Sequence, residues 1–204
     1  MSLLGVIICA ISVGIFKTAA LGVDPFQSLM SGLDQLIPIP FGTLYVIVNL
    51  VLLSFSLIVD RSRIGLATFI NLFLLGYITE FSYACFTSII VDPSMPVRAL
   101  CLLVGIVIIC FGSALYMTAD LGVSTYDAVA IVLSDKWKLA PFQYCRIATD
   151  LVCVVSGVAI FLIGGGTVSA IPTIAGVGTI ITAFFMGPLI EYFNVHVARP
   201  MLRK

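Results

Sequence analysis

The sequence predicts an all-α transmembrane protein with six spanning helices, arranged as two inverted three-helix repeats, each with a short re-entrant or interfacial half-helix after its first span. Three observations support this fold class. Hydrophobic residues make up 61% of the 204 residues and charged residues only 10%, with a mean hydropathy of +1.21, far from the balance of soluble domains. Six apolar stretches are long enough to cross a bilayer, and a seven-residue turn occurs twice.

The six apolar stretches each have about the 20 residues that a helix needs to cross the hydrocarbon core. The first stretch lacks the basic start of a secretory signal and has a counterpart in mid-chain, so we expect it to remain as a span. Two shorter pieces, 25–36 and 125–135, carry polar side chains and are too short to span, which favours half-helices. The predicted spans are residues 2–21, 41–59, 64–88, 97–119, 141–163 and 170–193.

The repeated turn begins at Leu21 and recurs one hundred positions later, each time after an apolar stretch. Asp24 and Ser124 are predicted N-caps of the short helices that follow. Gln27 and Asp127, three residues later, are expected to complete capping boxes. Helix N-termini have backbone N–H groups without partners inside the helix, and paired half-helices in related halves of a membrane protein are typical of a binding site or pathway.

Further matches between the two halves predict a tandem duplication of residues 1–90 and 97–193, joined by a linker at 91–96 and followed by a basic cytoplasmic tail at 194–204. The matches keep their order at shifts of 100, 101 and 111 positions. They include Gly5 with Gly105, Phe16 with Tyr116, Tyr45 with Arg146, Asn49 with Asp150, Gly65 with Gly176, Thr68 with Thr179, Asn71 with Thr182 and Glu80 with Glu191.

The orientation of the halves depends on whether the short helices span. Three spans per half would invert the second half, whereas four spans per half would make the repeat parallel. With the N-terminus inside, three spans place eight basic residues inside and two outside, and four spans give seven and three. Together with the length of the short helices, this favours the inverted repeat, with both termini in the cytoplasm. The eight are Arg61, Arg63, Lys136, Lys138, Arg146, Arg199, Arg203 and Lys204, against Lys17 and Arg98.

Three motifs resemble the YczE/YitT family of bacterial inner-membrane proteins. They are the Leu-Gly-x-x-Pro-Phe turn at 21–26, the Phe-Gly-Thr start of the second span at 41–43, and Gly-x-x-Thr-x-x-Asn at 65–71 followed by Gly76 and Glu80. The resemblance covers nearly the whole chain and implies a polytopic protein of the bacterial plasma membrane, without implying an activity or a substrate. Where the family usually carries Trp-Asp after the proline, this chain has Phe26 and Gln27.

Asp150 is the most informative polar residue, because it lies about nine residues into the fifth predicted span. Arg146 is four residues earlier, where side chains share a helix face. One interpretation is a structural ion pair, and the other is a role in substrate or proton handling. The first-half counterparts, Tyr45 and Asn49, are neutral, so the charged pair belongs to one half only.

Other polar residues also have two interpretations. Glu80 and Glu191 match across the repeat, and would act either as gates or as ordinary helix-end carboxylates at the headgroups. Asn71, with Thr68 one turn earlier, would hydrogen-bond between helices or line a polar pathway. The candidate substrate-binding or pathway residues are Asp24, Gln27, Asn49, Asn71, Glu80, Ser124, Tyr126, Asp127, Arg146, Asp150 and Glu191.

Several function classes are not expected. The six cysteines lack metal-site spacing and there is a single histidine, so we expect neither a metal nor a cofactor. No nucleophile with a neighbouring base and no phosphate loop is present, so an enzyme is not expected. The formal net charge is zero, which gives no reason to expect a nucleic-acid partner.

Two functions therefore remain as hypotheses. The first is a small-solute secondary transporter or permease that binds a polar or charged solute between the half-helix N-termini and the intramembrane acids. The alternative is a membrane scaffold or accessory subunit without its own transport. The bilayer is the expected environment of both, and a second copy of the chain is a candidate partner.

Overall fold

The computed structural model describes residues 1–61, 64–119 and 121–202, with the side chain of Gln143 left out. In these residues every regular element is helical, and six helical stretches are long and apolar enough to cross a membrane. This confirms the predicted all-α membrane fold with six candidate spans. The longest helices are α1 (Ser2–Ala19), α3 (Phe41–Val59), α4 (Leu66–Ile89), α5 (Met95–Thr118), α7 (Phe142–Ile163) and α9 (Val177–Phe193).

The two short helices begin where the repeated turn predicts. Helix α2 covers Pro25–Leu36, and α6 covers Thr125–Ile131 and continues as a π-helical turn to Lys136. The Asp24 carboxylate accepts from the Gln27 N–H at 3.2 Å, and the Ser124 hydroxyl accepts from the Asp127 N–H at 3.1 Å. Both predicted N-caps are therefore confirmed.

The expected capping boxes are wrong. Gln27 is buried and its Oε1 has no hydrogen-bond partner in the part of the chain that the structure describes, so it does not accept from the backbone of the cap residue. Asp127 accepts from the hydroxyl of Ser124, at 2.6 Å, and from side chains of other helices. Those tertiary partners are stronger donors than a backbone N–H, which explains why Asp127 turns towards them.

Helices α1 and α5 cross in the centre and are the most buried of the spans. The Ser12 hydroxyl donates to the Gly105 carbonyl at 2.6 Å, and a Cβ on Gly5 would lie 2.7 Å from the Gly112 carbonyl oxygen. Rising residue numbers on α1 therefore meet falling numbers on α5, and the two helices are antiparallel. Glycine makes this close approach between backbones feasible.

Each repeated turn packs against a helix start from the other half of the chain. The Leu21 carbonyl accepts from the Gly178 N–H at 2.8 Å, and the Leu121 carbonyl accepts from the Ala67 N–H at 2.9 Å. Gly22 has a φ of +100°, and a Cβ there would lie 2.6 Å from the Gly176 nitrogen. These reciprocal contacts hold the half-helix starts against α9 and α4.

The sixth predicted span, 170–193, is interrupted in the structure. A short helix α8 (Ile171–Ile174) ends at Ala175, and α9 begins after its N-cap Gly176. Beyond Phe193 the chain continues through a π-helical turn, Asn194–Ala198, to α10 (Arg199–Leu202). Of the residues used for the charge count, Arg63, Arg203 and Lys204 lie outside the described residues.

Candidate functional site

An ionic cluster joins the start of α6 to α7. The Arg146 guanidinium forms an ion pair with Asp127, the third residue of α6, and its Nε lies 3.3 Å from an Asp150 oxygen. Arg146 and Asp150 are one turn apart on α7, as the sequence spacing predicts. The side chains of both acids are less than a tenth exposed, and that of Arg146 is 26% exposed.

Three hydroxyl groups complete the hydrogen bonds of the two carboxylates. Tyr116 on α5 and Ser124 donate to Asp127. Tyr126 donates to Asp150, and the Arg146 guanidinium carbon lies 4.5 Å from the centroid of the Tyr126 ring. The cluster thus contains two carboxylates and one guanidinium, and with both acids ionised its net charge is −1.

Asp24 adds a third carboxylate near this cluster. It lies in the turn between α1 and α2, outside the spanning helices, and interacts electrostatically with Asp150 and Arg146. The pKa of Asp24 is raised from 3.8 to about 6, mainly by burial and also by the nearby Asp150 charge, while the backbone N–H of Gln27 and the Arg146 charge oppose the shift.

The matching region of the first half is polar but neutral. The Tyr45 hydroxyl donates to Asn71 Oδ1 at 3.2 Å. Asn49 donates to the Tyr45 carbonyl at 2.8 Å and accepts from Thr125 of α6. Asn49 and Asn71 therefore each accept a hydrogen bond from another helix, and the bond from Thr125 joins Asn49 to the start of α6.

The structure does not bring Glu80 and Glu191 into the cluster. Glu80 is exposed, and its Oε2 accepts from the Gly42 N–H at 3.1 Å, at the start of α3. Glu191 is also exposed and lies 3.8 Å from Arg199 in an ion pair. Glu80, in the middle of α4, therefore contacts the start of α3, Glu191 lies near the end of α9, and neither is within the polar network around Arg146.

Sequence reasoning missed Tyr116, Thr125 and Phe26 as members of the site, the last of which stacks on the Tyr126 ring. The repeat itself held a signal for the first, since Phe16 in the first half becomes Tyr116 in the second. A similar change from Phe26 to Tyr126 adds the hydroxyl that bonds Asp150. Comparing polarity position by position across the halves would have indicated these partners.

No three His, Cys, Asp or Glu side chains are grouped to hold a metal ion within the part of the chain that the structure describes. The six cysteines are free thiols, four of them buried. The polar groups that converge in the centre are instead carboxylates, hydroxyls and one guanidinium, an arrangement suited to exchange protons or to bind a charged group.

These features define a multi-pass α-helical membrane protein with an ionic network buried between its helices. The chain belongs to the family of unknown function DUF6198, whose model matches residues 1–195.

Three relatives illustrate this membership. The uncharacterized protein YyaS of Bacillus subtilis is 24% identical, covering 98% of this chain and 94% of its own. The uncharacterized membrane protein YczE of the same organism is 24% identical, covering 92% of this chain and 81% of its own. An uncharacterized protein of Haemophilus influenzae is 26% identical, over 68% and 57%. The resemblance to the YczE/YitT family is thereby confirmed. No solved structure matches the chain.

Proposed function

We propose that the protein is a small-solute secondary transporter of the bacterial plasma membrane, with both termini in the cytoplasm and no enzymatic activity. Its site lies between the starts of α2 and α6 and the acids of the cluster. The observation that carries this proposal is the sharing of one guanidinium, Arg146, between two buried carboxylates, Asp127 and Asp150. Either acid can lose this partner to the other when a proton or a charged solute binds.

The cost of the cluster supports a functional role. Inserting a charged residue at the centre of a membrane helix costs roughly 2.5–3.5 kcal/mol on translocon scales. Tyr45 and Asn49 occupy the matching positions in the first half with neutral hydrogen bonds, so packing at this place does not require charge. A scaffold would gain nothing from the added ions, whereas a transporter uses them.

The arrangement of the helices also supports transport. The antiparallel crossing of α1 and α5, which are matching helices of the two halves, is what an inverted repeat predicts. The half-helices α2 and α6 meet the other half through Leu21 and Leu121. Rocking of one half against the other would then alternate access to the site.

The charge of the solute is constrained by the start of α2. Pro25 has no N–H, the Gln27 N–H bonds the Asp24 carboxylate, which also interacts with the Phe26 N–H, and the Ser28 N–H bonds the Asp24 carbonyl. The donors that would bind an anion are thus already used. With carboxylates in excess, we infer that a cation, or a solute with a cationic group, is the preferred ligand.

The test is an uptake screen in proteoliposomes containing the full chain. Once a solute is found that the protein moves, Asp127→Asn and Asp150→Asn are each expected to reduce its uptake at least tenfold. Asp92→Asn, in the exposed linker, is the matched control and should leave uptake unchanged. Wild-type uptake by both cluster variants would remove the acids from the mechanism.

A further inference from the structure

Two buried oxygen atoms at the start of α2 have no hydrogen-bond partner among the described residues. They are Oε1 of Gln27, a residue that is 2% exposed, and Oγ of Ser28, a residue that is fully buried. Both residues lie in the first turn of α2, directly after the Asp24 carboxylate that caps it. Leaving a buried acceptor unpaired costs roughly 1–3 kcal/mol, so these oxygens are expected to have a partner that is a hydrogen-bond donor or a cation.

The matching turn in the second half shows what such a partner looks like. Asp127 occupies the place of Gln27 and is bonded by Tyr116, by Ser124 and by the Arg146 guanidinium. In the first half, each of these three donors is replaced. Phe16 stands in the place of Tyr116 and has no hydroxyl, and Asp24 stands in the place of Ser124 and accepts. Tyr45 stands in the place of Arg146 and donates to Asn71. The Gln27 oxygen therefore loses every donor that its counterpart has.

The cationic side chains nearest to Asp24 do not supply the missing partner of this turn. Among the described residues no Lys or Arg forms an ion pair with Asp24. Arg146 is engaged by Asp127 and Asp150. The Lys17 ammonium lies 3.3 Å from the centroid of the Phe41 ring, in the field of Asp34, Glu80 and, most weakly, Asp24.

The positive end of the α2 dipole opposes a cation at this turn, but α6 shows that the opposition is overcome. Arg146 is held there by a carboxylate within the first turn of a half-helix. Asp24 supplies the same charge at the start of α2, where it accepts from the Gln27 N–H.

We propose that the Asp24 carboxylate and Gln27 Oε1, with Ser28 Oγ, form a binding site for a small monovalent cation. The cation occupies in the first half the role that the Arg146 guanidinium has in the second. Oxygen donors of this kind suit a hard ion such as Na⁺, and equally a primary ammonium group. Its role as the coupling ion or as the cationic part of the solute rests on the proposed transport function, whereas binding itself does not.

The experiment measures thermal unfolding of the purified full chain in detergent. Chloride salts of Na⁺, K⁺, methylammonium and N-methyl-D-glucamine are compared at equal ionic strength. A ligand that binds only the folded state raises the Tm with its concentration. We expect Na⁺ or methylammonium, but not the bulky N-methyl-D-glucamine, to raise the Tm in a saturating manner. A response to Na⁺ indicates that the site binds a metal ion, and a response to methylammonium indicates that it binds an organic ammonium group.

Three variants assign the response to the turn. Asp24→Asn keeps an N-cap side chain and removes the charge, and is expected to weaken cation binding at least tenfold. Gln27→Leu, which removes the unpaired oxygen without adding charge, is expected to weaken it several-fold. Asp34→Asn removes an exposed acid at the far end of the same helix and should retain the wild-type response.

The possible results are distinguishable. An equal Tm rise with N-methyl-D-glucamine, no response to any cation, or a full response in Asp24→Asn would each overturn the cation site. If Asp24→Asn does not fold, an unchanged response in Gln27→Leu overturns it instead. A failure of the site leaves the uptake assay of Asp127 and Asp150 to decide the transport function separately.

Discussion

The Phe26 and Tyr126 rings, one hundred positions apart in matching turns, stack on each other with centroids 4.9 Å apart and an interplanar angle of 25°. On one side, Phe26 also meets the edge of the Tyr45 ring at 5.8 Å. On the other side, the Arg146 guanidinium lies over the Tyr126 ring, and the Tyr126 hydroxyl donates to Asp150. The ring pair therefore brings the starts of α2 and α6 together, with the Tyr45 ring on one side and the pair of Arg146 and Asp150 on the other.

The shared guanidinium makes Arg146 the most sensitive position for stability. Arg146→Leu leaves Asp127 and Asp150 without their counter-ion, and is expected to lower the free energy of unfolding by about 3–5 kcal/mol. Denaturant unfolding in detergent measures the effect. Arg199→Gln, at the exposed pair with Glu191, should change it by less than about 1 kcal/mol. Equal losses in both variants would show that burial of the pair is unimportant.

The Tyr116 hydroxyl is expected to hold the Asp127 carboxylate in place. Tyr116→Phe removes a hydrogen bond to a charged group and should lower the free energy of unfolding by about 1.5–3 kcal/mol. The loss comes from the hydroxyl alone, because the ring still fits, as Phe16 does at the matching position. Tyr144→Phe, at a tyrosine 65% exposed on α7, is the control and should be neutral. An unchanged free energy of unfolding in Tyr116→Phe would mean that water replaces the hydroxyl.

Gly122 should not tolerate a side chain. Its φ is +104°, and a Cβ would lie 2.5 Å from the Gly65 nitrogen, so Gly122→Ala is expected to destabilise the protein by about 1–3 kcal/mol. Gly187→Ala, where a Cβ meets nothing within 4 Å, should have no such effect. The comparison of their Tm values decides whether this close packing of the second turn against the start of α4 stabilises the fold.

Cation binding at Asp24 should depend on pH. Its pKa is raised to about 6, so the carboxylate is charged above pH 6 and becomes neutral below it. The Tm increment given by Na⁺ or methylammonium is therefore expected above pH 7 and should vanish as the pH falls through 6. Asp150, Arg146 and Lys17 are the other charges that face Asp24, and their charges adjust the midpoint. An increment that is constant from pH 7.5 to 5 would contradict the assignment to this carboxylate.

The elements that depend on local chemistry were predictable from the sequence. The helices at Pro25–Leu36 and Phe41–Val59 begin and end at the predicted residues, because a capping residue, proline and an apolar run define them. The pair of Arg146 and Asp150 follows from their spacing alone.

What escaped prediction depends on packing between distant segments. The interruption at Gly176 exists where that helix start meets Leu21 and Gly22, more than 150 positions earlier. Asp127 chooses Tyr116 and Arg146 from two other helices in preference to its own backbone. Hydropathy and turn motifs contain no information on such pairings.

The bonds of Leu21 with Gly178 and of Leu121 with Ala67 have a consequence for biosynthesis. While the ribosome is still extending the chain, the first turn waits in the bilayer without the helix that completes it. Its carbonyl acquires its partner only after the last span has been inserted. The newly made first half is therefore expected to need shelter by the insertion machinery, and two separately expressed halves should mature only when both are made in one cell.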